Sequence, residues 1–216
     1  MLLLASVLAA FSLWIVLAEL PRSGVRLFPT DFSAAAMAAT ARGRAAWAAA
    51  FGTVRGDLWA EAAFTYATLL SPDPAQDADP SRIANQARIV IERALACAPH
   101  ESSVWLLAAR LGFRFNWPNA NPLSTLKMSY YTGPNQLHLI PLRLLTATLS
   151  NALTDSDLQQ LVQRDVRMIL IRWPELRPAL AAAYENAEPD AKRFLEGAVT
   201  ETDPTFLQTM RANAMP

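Results

Sequence analysis

The sequence contains little glycine and no excess of charge of either sign. Its seven glycines are scattered over 216 residues, so they cannot form a phosphate-binding loop or a dinucleotide fingerprint. Nineteen basic residues balance nineteen acidic ones, so no net field attracts the chain to nucleic acid. We therefore expect neither a nucleotide cofactor nor a nucleic-acid partner.

Cysteine and histidine are also scarce, which limits disulfide and metal chemistry. Cys97 is the single cysteine and cannot form an internal disulfide. Cys97 and His100 have C-x-x-H spacing, but no second pair of ligands stands at a spacing that would complete a metal site. We expect no metal and no cofactor.

The sequence also lacks the signatures of common catalytic sites. It has no G-x-S-x-G nucleophile elbow and no H-E-x-x-H helix. Acidic pairs such as Asp155 and Asp157 fit the preference of helix N-termini for negative charge better than acid–base catalysis. The sequence therefore predicts a protein that is not an enzyme.

One long apolar run opens the chain. Residues 1–18 carry no charged side chain, and 18 helical residues span about 27 Å, close to the hydrocarbon thickness of a bilayer. We expect residues 1–20 to be a membrane anchor, with residues 2–18 in the lipid. A signal peptide is the alternative, but a basic n-region and a small-x-small cleavage site are missing.

The orientation of this anchor is nearly balanced between two possibilities. Arg22 and Arg26 come after the span and nothing basic precedes it, which favours a cytoplasmic location for the remaining chain. Bacterial proteins with a single N-terminal span often translocate the rest of the chain. We expect a single-pass inner-membrane protein, with a slight preference for a periplasmic soluble domain.

The remaining chain, residues 21–216, is expected to be helical throughout. It has no sustained period-2 alternation and no Asn-Gly or Asp-Gly hairpin turn. Capping residues and prolines predict helices that start near Asp31, Thr53, Ser81, Ser102, Pro122, Gln136 and Leu158, with shorter ones after Pro174, Pro189 and Pro204. Residues 71–80 are expected to form a Pro-punctuated loop, Thr154 and Asp157 a capping box, and Gly133 a left-handed helix cap.

Small residues alternate with a large one in the helix that ends near Pro99. Ala87, Ile91 and Ala94 lie four and then three residues apart, on one helical face, and small residues allow two helices to approach closely. Pro99 ends this helix, and Trp105 comes early in the next, where its ring can wedge between hairpins.

This pattern resembles the tetratricopeptide repeat, TPR, a 34-residue helical hairpin. With Pro99 at the closing position, Ala87, Ile91 and Ala94 match the small, large and small positions of the second helix. Trp105 matches the aromatic position of the next unit. The resemblance implies antiparallel helix hairpins stacked as a short superhelix, most TPR-like over residues 81–134, with weaker copies elsewhere. An irregular helical domain that meets these spacings by chance is the alternative.

Residues 113–143 are the least generic part of the chain, because they concentrate aromatic, amide and basic side chains. Such residues are typical of grooves that contact peptides or glycans. The alternative is that the aromatics fill gaps between helices while the amides cap helix ends. The candidate binding residues are Arg114, Asn116, Trp117, Lys127, Tyr130, Tyr131, Asn135, His138 and Arg143.

The anchor, the repeat-like hairpins and the lack of a reactive constellation favour one function. We expect a membrane-anchored scaffold that binds other membrane or envelope proteins, in envelope or polysaccharide assembly. The alternative is a small-molecule or glycan-binding helical module, or a divergent enzyme, that uses residues 113–143.

Overall fold

The computed structural model describes residues 2–20, 28, 32–70, 80–117 and 120–213. All regular elements within these ranges are helices, as the sequence predicts. The α-helices are α1 (Leu2–Glu19), α2 (Phe32–Phe51), α3 (Gly56–Thr68), α4 (Pro80–Cys97), α5 (Ser102–Phe115), α6 (Pro122–Thr132), α7 (Ile140–Thr148), α8 (Ser156–Ile171), α9 (Arg177–Glu185), α10 (Pro189–Thr200) and α11 (Pro204–Asn213). Short 3-10 turns precede α7, α8 and α9, at Leu137–Leu139, Asn151–Thr154 and Pro174–Leu176.

The chain divides into two compact units, Met1–Leu111 and Gly112–Pro216. The first unit holds α1 to α4 and most of α5, and the second holds α6 to α11. The sequence predicts a single helical domain over residues 21–216, and the division at Gly112 was not anticipated.

In the first unit, α1 attaches to the body by its C-terminal end. The Trp14 indole Nε1 donates a 2.8 Å hydrogen bond to the carbonyl of Phe51, and Ala18 lies in a buried cluster with Ala48 and Leu58. The Arg55 guanidinium lies 2.7 Å from the Glu19 carboxylate. Because Trp14 meets the last residue of α2 and Ala18 meets an earlier turn, the two helices run in opposite directions.

The rest of α1 extends past the end of α2, so its apolar side chains have few neighbours. Leu3 is 82% exposed, and the next large apolar residues of α1 are exposed as well. Residues Leu2–Glu19 of the predicted anchor are helical, as expected. Among the described residues, no helix combines the length and the apolar character that crossing a membrane requires.

Helices α3 and α4 form a tightly packed antiparallel hairpin. Its contact surface is made of small residues, since Ala60, Ala63 and Ala67 of α3 are at most 1% exposed. The start of α3 touches the end of α4 so closely that a Cβ atom built on Gly56 would lie 2.4 Å from the Cβ of Ala98. Side chains larger than these would push the two helix axes apart.

The residues that suggested a repeat lie in α4, in the turn after it and in α5. Ala87, Ile91 and Ala94 are at most 2% exposed and share the buried face of α4. Pro99 lies in the turn after α4, and the half-buried Trp105 of α5 donates a 2.7 Å hydrogen bond from Nε1 to the Pro99 carbonyl. Consecutive helices therefore pack in a repeat-like manner, as the sequence predicts.

The second unit is a bundle of shorter helices around a core of aliphatic side chains. Leu126 of α6, Leu144 of α7, Val162 and Ile169 of α8 and Leu195 of α10 are fully buried. Helix α8 is central, because it packs against α6, α7, α9 and α10. Its apolar face is thus covered by four neighbours, which explains the regular spacing of its apolar residues.

Three local predictions about helix ends are wrong. Helix α3 begins at Gly56 rather than at Thr53, which lies in a turn. The cap of α8 is Asp155, whose Oδ1 accepts hydrogen bonds from the backbone N–H groups of Asp157 and Leu158, whereas Thr154 closes the preceding 3-10 turn. Gly133 does cap α6, but its φ of −146° is negative, so it is not in the left-handed conformation.

Other predictions fall on residues that the structure does not describe. Arg22, Arg26, the cap at Asp31 and the loop residues 71–79 lie outside the described residues. Pro80, at the end of the predicted loop, is the first residue of α4, as proline's fixed φ and missing N–H favour.

Candidate functional site

The predicted binding residues do not converge on one groove. Trp117, Tyr130 and Arg143 are core residues, with exposures of 9%, 4% and 0%. The exposed members are Arg114, Asn116, Tyr131, Asn135 and His138. A binding role for the buried three would require the surrounding helices to move, and a binding role for the exposed five stays a prediction.

Lys127 forms an ion-pair cluster with the start of α8. Its Nζ lies 2.8 Å from a carboxylate oxygen of Asp155 and 2.8 Å from one of Asp157. The hydrogen bond to Asp155 raises the pKa of Lys127, and the same bond, with the backbone N–H of Leu158, lowers the pKa of Asp155. This arrangement links α6 to α8, so the Lys127 ammonium group has a structural role.

Arg143 caps the C-terminal end of α6 from the neighbouring helix α7. Its Nε donates to Ser129 Oγ at 3.0 Å, and its Nη2 donates to the carbonyls of Ser129 and Gly133, the latter at 2.9 Å. Carbonyls in the last turn of a helix have no intrahelical partner and carry partial negative charge. A guanidinium placed there satisfies them and complements the helix dipole.

Two further polar groups share this buried site. The Arg143 guanidinium carbon lies 4.7 Å from the centre of the Tyr130 ring, in cation–π geometry. Asp165 of α8 is 2% exposed, and its Oδ2, the Tyr130 hydroxyl and Nη1 of Arg143 have no hydrogen-bond partner among the described residues. The site therefore brings together polar atoms of three buried side chains, from α6, α7 and α8.

Burial controls the protonation of these groups. It raises the pKa of Asp165 to about 7, against the opposing effect of the Arg143 and Arg164 charges. Burial, and then the charge of Asp165, hold the pKa of Tyr130 well above its ordinary value. We refer to Ser129, Tyr130, Arg143 and Asp165 as the buried polar cluster.

An open cleft of about 500 Å³ lies at the beginning of the predicted binding region. Its described lining carries no charge and includes Phe113 and the amides of Asn116, Asn121 and Asn151. Asn121 uses its Oδ1 to cap α6, whereas the Asn116 and Asn151 side chains form no hydrogen bond with a described residue. Asn116, at φ 45°, is the one described non-glycine residue with a positive φ.

Of the predicted binding residues, only Asn116 lines this cleft. Asn151 comes from a 3-10 turn far along the chain, and nothing in its local sequence marks it as a partner of Asn116. Asp165 of the buried polar cluster was also missed. It occupies a buried position on the α8 face that also carries Leu158, Val162 and Ile169, and a charged residue on an apolar face was the available signal.

A metal site finds no support in the described residues. No group of three or more His, Cys, Asp or Glu side chains there is arranged to hold a metal ion. The Sγ of Cys97 lies 3.6 Å from the carbonyl of Thr53, as part of the α3–α4 hairpin.

Comparison with known proteins adds no assignment. No protein-family model, curated protein or solved structure matches this chain.

Proposed function

We propose that this protein is a membrane-attached scaffold, held at the membrane by α1, whose helical hairpins bind another envelope protein. The observation that carries the proposal is the apolar surface of α1. Large apolar residues from Leu3 to Leu17 are 36% to 82% exposed on this helix. Contiguous exposed apolar surface of this extent is typical of membrane or protein contacts.

Aromatic residues at the base of α1 support membrane attachment. Trp14 and Phe11 are neighbours with ring centres 5.7 Å apart, and Trp47 and Phe51 of α2 stack at 5.1 Å. The Trp47 side chain is 63% exposed. Because tryptophan prefers the boundary between lipid and water, these rings fit a protein that meets the membrane where α1 leaves the body.

The spacing of residues in α3 and α4 supports the scaffold role. Trp59 and Tyr66 of α3 lie seven residues apart, the spacing that the first TPR helix uses, and Ala62 and Ala63 stand at its Leu and Gly positions. The second helix matches through its Ala, Ile, Ala and Pro positions. Hairpins of this kind present extended surfaces for partner proteins.

Vesicle flotation tests the membrane half of the proposal. We expect the full chain to float with vesicles and a variant lacking residues 2–13 to remain in the bottom fraction, because it has lost most of the exposed apolar surface. The variant should still fold, since it keeps the Trp14 and Ala18 contacts with α2. Brominated lipids should quench tryptophan emission less in Trp47→Phe. A full chain that does not bind vesicles would contradict the proposal. Protease accessibility in spheroplasts then reports the side on which the helical units lie.

Co-purification from native membranes tests the scaffold half. Ile89 is an exposed apolar residue of α4, at 45%, and Ile171 is an exposed apolar residue of the second unit, at 70%. We expect Ile89→Arg to lose a protein partner that Ile171→Arg retains. Recovery of no stable partner with the unmodified chain would count against a scaffold.

The cleft beside Asn116 favours a second candidate function, the binding of an uncharged polar ligand such as a glycan. Amides pair with hydroxyl groups as both donors and acceptors, and the aromatic face of Phe113 can cover apolar C–H groups. Nuclear magnetic resonance titration with uncharged oligosaccharides tests this. Shifts that vanish in Asn116→Ala and Asn151→Ala, but persist in Gln160→Ala on the exposed face of α8, would support it.

A further inference from the structure

The strongest unassigned site is a polar pocket of the first unit. It has a volume of about 250 Å³ and is lined by Arg42 of α2, Tyr66 of α3, and Arg82, Ile83 and Gln86 of α4. Arg82 and Gln86 lie four residues apart and so share one face of α4. Three consecutive helices thus direct polar side chains at one space.

The two arginines of this pocket are not neutralised by the described part of the chain. Neither Arg42 nor Arg82 forms a hydrogen bond or ion pair with a described residue, and no described acidic side chain lines the pocket. Elsewhere in this unit, Glu19 and Asp57 pair with Arg55, and Glu92 pairs with Arg88. Two positive charges therefore face the same pocket, and no described residue supplies a counter-charge there.

We propose that this pocket binds the phosphate group of a small phosphate monoester. A phosphate monoester carries about −1.5 to −2 charges at pH 7 and three strong acceptor oxygens, which balances two guanidinium groups. Arginine presents forked donors that match phosphate oxygens, and Tyr66 and Gln86 supply further donors. A carboxylate has one charge and two oxygens, so it would leave one of the two arginines uncompensated.

The position of the pocket favours a soluble phosphate over a lipid headgroup, and this step rests on the proposed attachment of α1. The apolar end of α1 extends past Phe51, the last residue of α2. Arg42 stands nine residues before Phe51, so it lies roughly 13 Å back along the helix axis, away from that end. A membrane reached by α1 would therefore lie distant from the pocket.

Calorimetric titration of the full chain in neutral detergent tests the proposal, with inorganic phosphate and glycerol 3-phosphate as probes. Sodium acetate and sodium chloride at equal ionic strength are the controls. We expect saturable binding of both phosphates and a weakening by about tenfold or more in Arg42→Gln and in Arg82→Gln, since hydrogen bonds to charged groups are the strong ones. Arg93→Gln removes an exposed charge from the same helix and should leave the affinity unchanged.

Several outcomes would overturn the proposal. They are the absence of saturable phosphate binding, equal losses in Arg93→Gln and Arg82→Gln, and acetate binding as tight as phosphate. Binding of phosphatidic acid vesicles but of neither soluble phosphate would assign the site to a lipid instead. A last variant changes Asp73, Asp77 and Asp79 to Asn. If phosphate binds only to that variant, the chain's own carboxylates compete for the pocket. Flotation is measured separately, so failure here leaves the membrane proposal intact.

Discussion

The buried threonines of α3 and the buried charged groups of the second unit find their partners in different ways. In the first unit, the buried Thr65 and Thr68 donate 2.8 Å hydrogen bonds to the carbonyls of Glu61 and Phe64, one turn earlier in the same helix. In the second unit, Arg143 donates to the end of a different helix, and Asp165 is buried beside it from a third. Local partners make a threonine easy to bury, whereas a guanidinium and a carboxyl require a site that only tertiary packing assembles.

The stabilising contacts differ in the same way. The α3–α4 hairpin depends on the absence of side-chain volume, at Gly56 and along its alanine positions. The packing of α6, α7 and α8 depends on the charged Arg143 side chain, which bonds to the end of α6. We therefore expect the first unit to be sensitive to added methyl groups and the second to lost charge.

The largest effect is expected from removal of the buried guanidinium. Arg143→Met keeps an apolar stem but removes the Arg143 donor from the Ser129 and Gly133 carbonyls and its positive charge from Asp165. Leaving a buried hydrogen-bonding group without its partner costs about 1–3 kcal/mol of unfolding free energy per group, and two carbonyls are affected here. Chemical denaturation measures this loss. Arg164→Met removes an exposed charge that also acts on Asp165, and an equal loss there would refute a special role for Arg143.

A single added methyl group should disturb the first unit next. In Gly56→Ala the new Cβ would lie 2.4 Å from the Cβ of Ala98 and 3.0 Å from its backbone nitrogen, so α3 and α4 must separate. Overpacking of this kind costs about 1–3 kcal/mol. The control is Gly43→Ala in α2, where nothing lies within 4 Å of the added Cβ and the change removes helix-destabilising glycine. If both variants melt at the temperature of the unmodified protein, the hairpin is not closely packed at Gly56.

The pH dependence of stability should separate the two units. The pKa of Asp165 is about 7 in the folded protein and 3.8 in a free side chain, so between these values the folded state retains a proton that the unfolded state has released. Raising the pH therefore favours unfolding, and this contribution to stability is lost as the pH passes through about 7. Its slope is at most about 1.4 kcal/mol per pH unit.

Asp165→Asn should flatten this part of the pH profile, because the amide does not titrate. Thermal melts of both proteins between pH 4 and pH 8 measure the difference. The Arg143, Arg164 and Tyr130 side chains that face Asp165 are unchanged in the comparison. Parallel profiles for the two proteins would show that Asp165 does not hold its proton in the folded state.

The smallest effect concerns the cap of α8. Asp155→Ala removes the acceptor of two backbone N–H groups and one partner of Lys127, so we expect a lower melting temperature. Thr154→Ala removes a hydroxyl that serves only the preceding 3-10 turn and should lower it less. A larger decrease in melting temperature for Thr154→Ala than for Asp155→Ala would support Thr154 as the cap of α8, as the sequence suggests.

Much of the fold could be predicted because its determinants are local. Prolines at the starts of α4, α6, α10 and α11 and the apolar periodicity of α8 act within one or two helical turns, so they can be recognised without coordinates. The small residues of α4 also signal a close helix contact. The site residues were harder to predict. Trp117, Tyr130 and Arg143 are residue types that are typical of binding grooves, but here they are buried in the core.

The amino-acid sequence alone determined that the chain is helical, where most helices begin and end, and that α4 packs against a neighbour through alanine. Those properties result from backbone geometry and from side-chain size at fixed helical spacing. Tertiary structure decided which charged groups are buried together, that Arg42 and Arg82 face one pocket from two helices, and that α1 leaves its apolar residues uncovered. Each of these depends on the distance between residues far apart in the chain, which packing sets and local sequence does not encode.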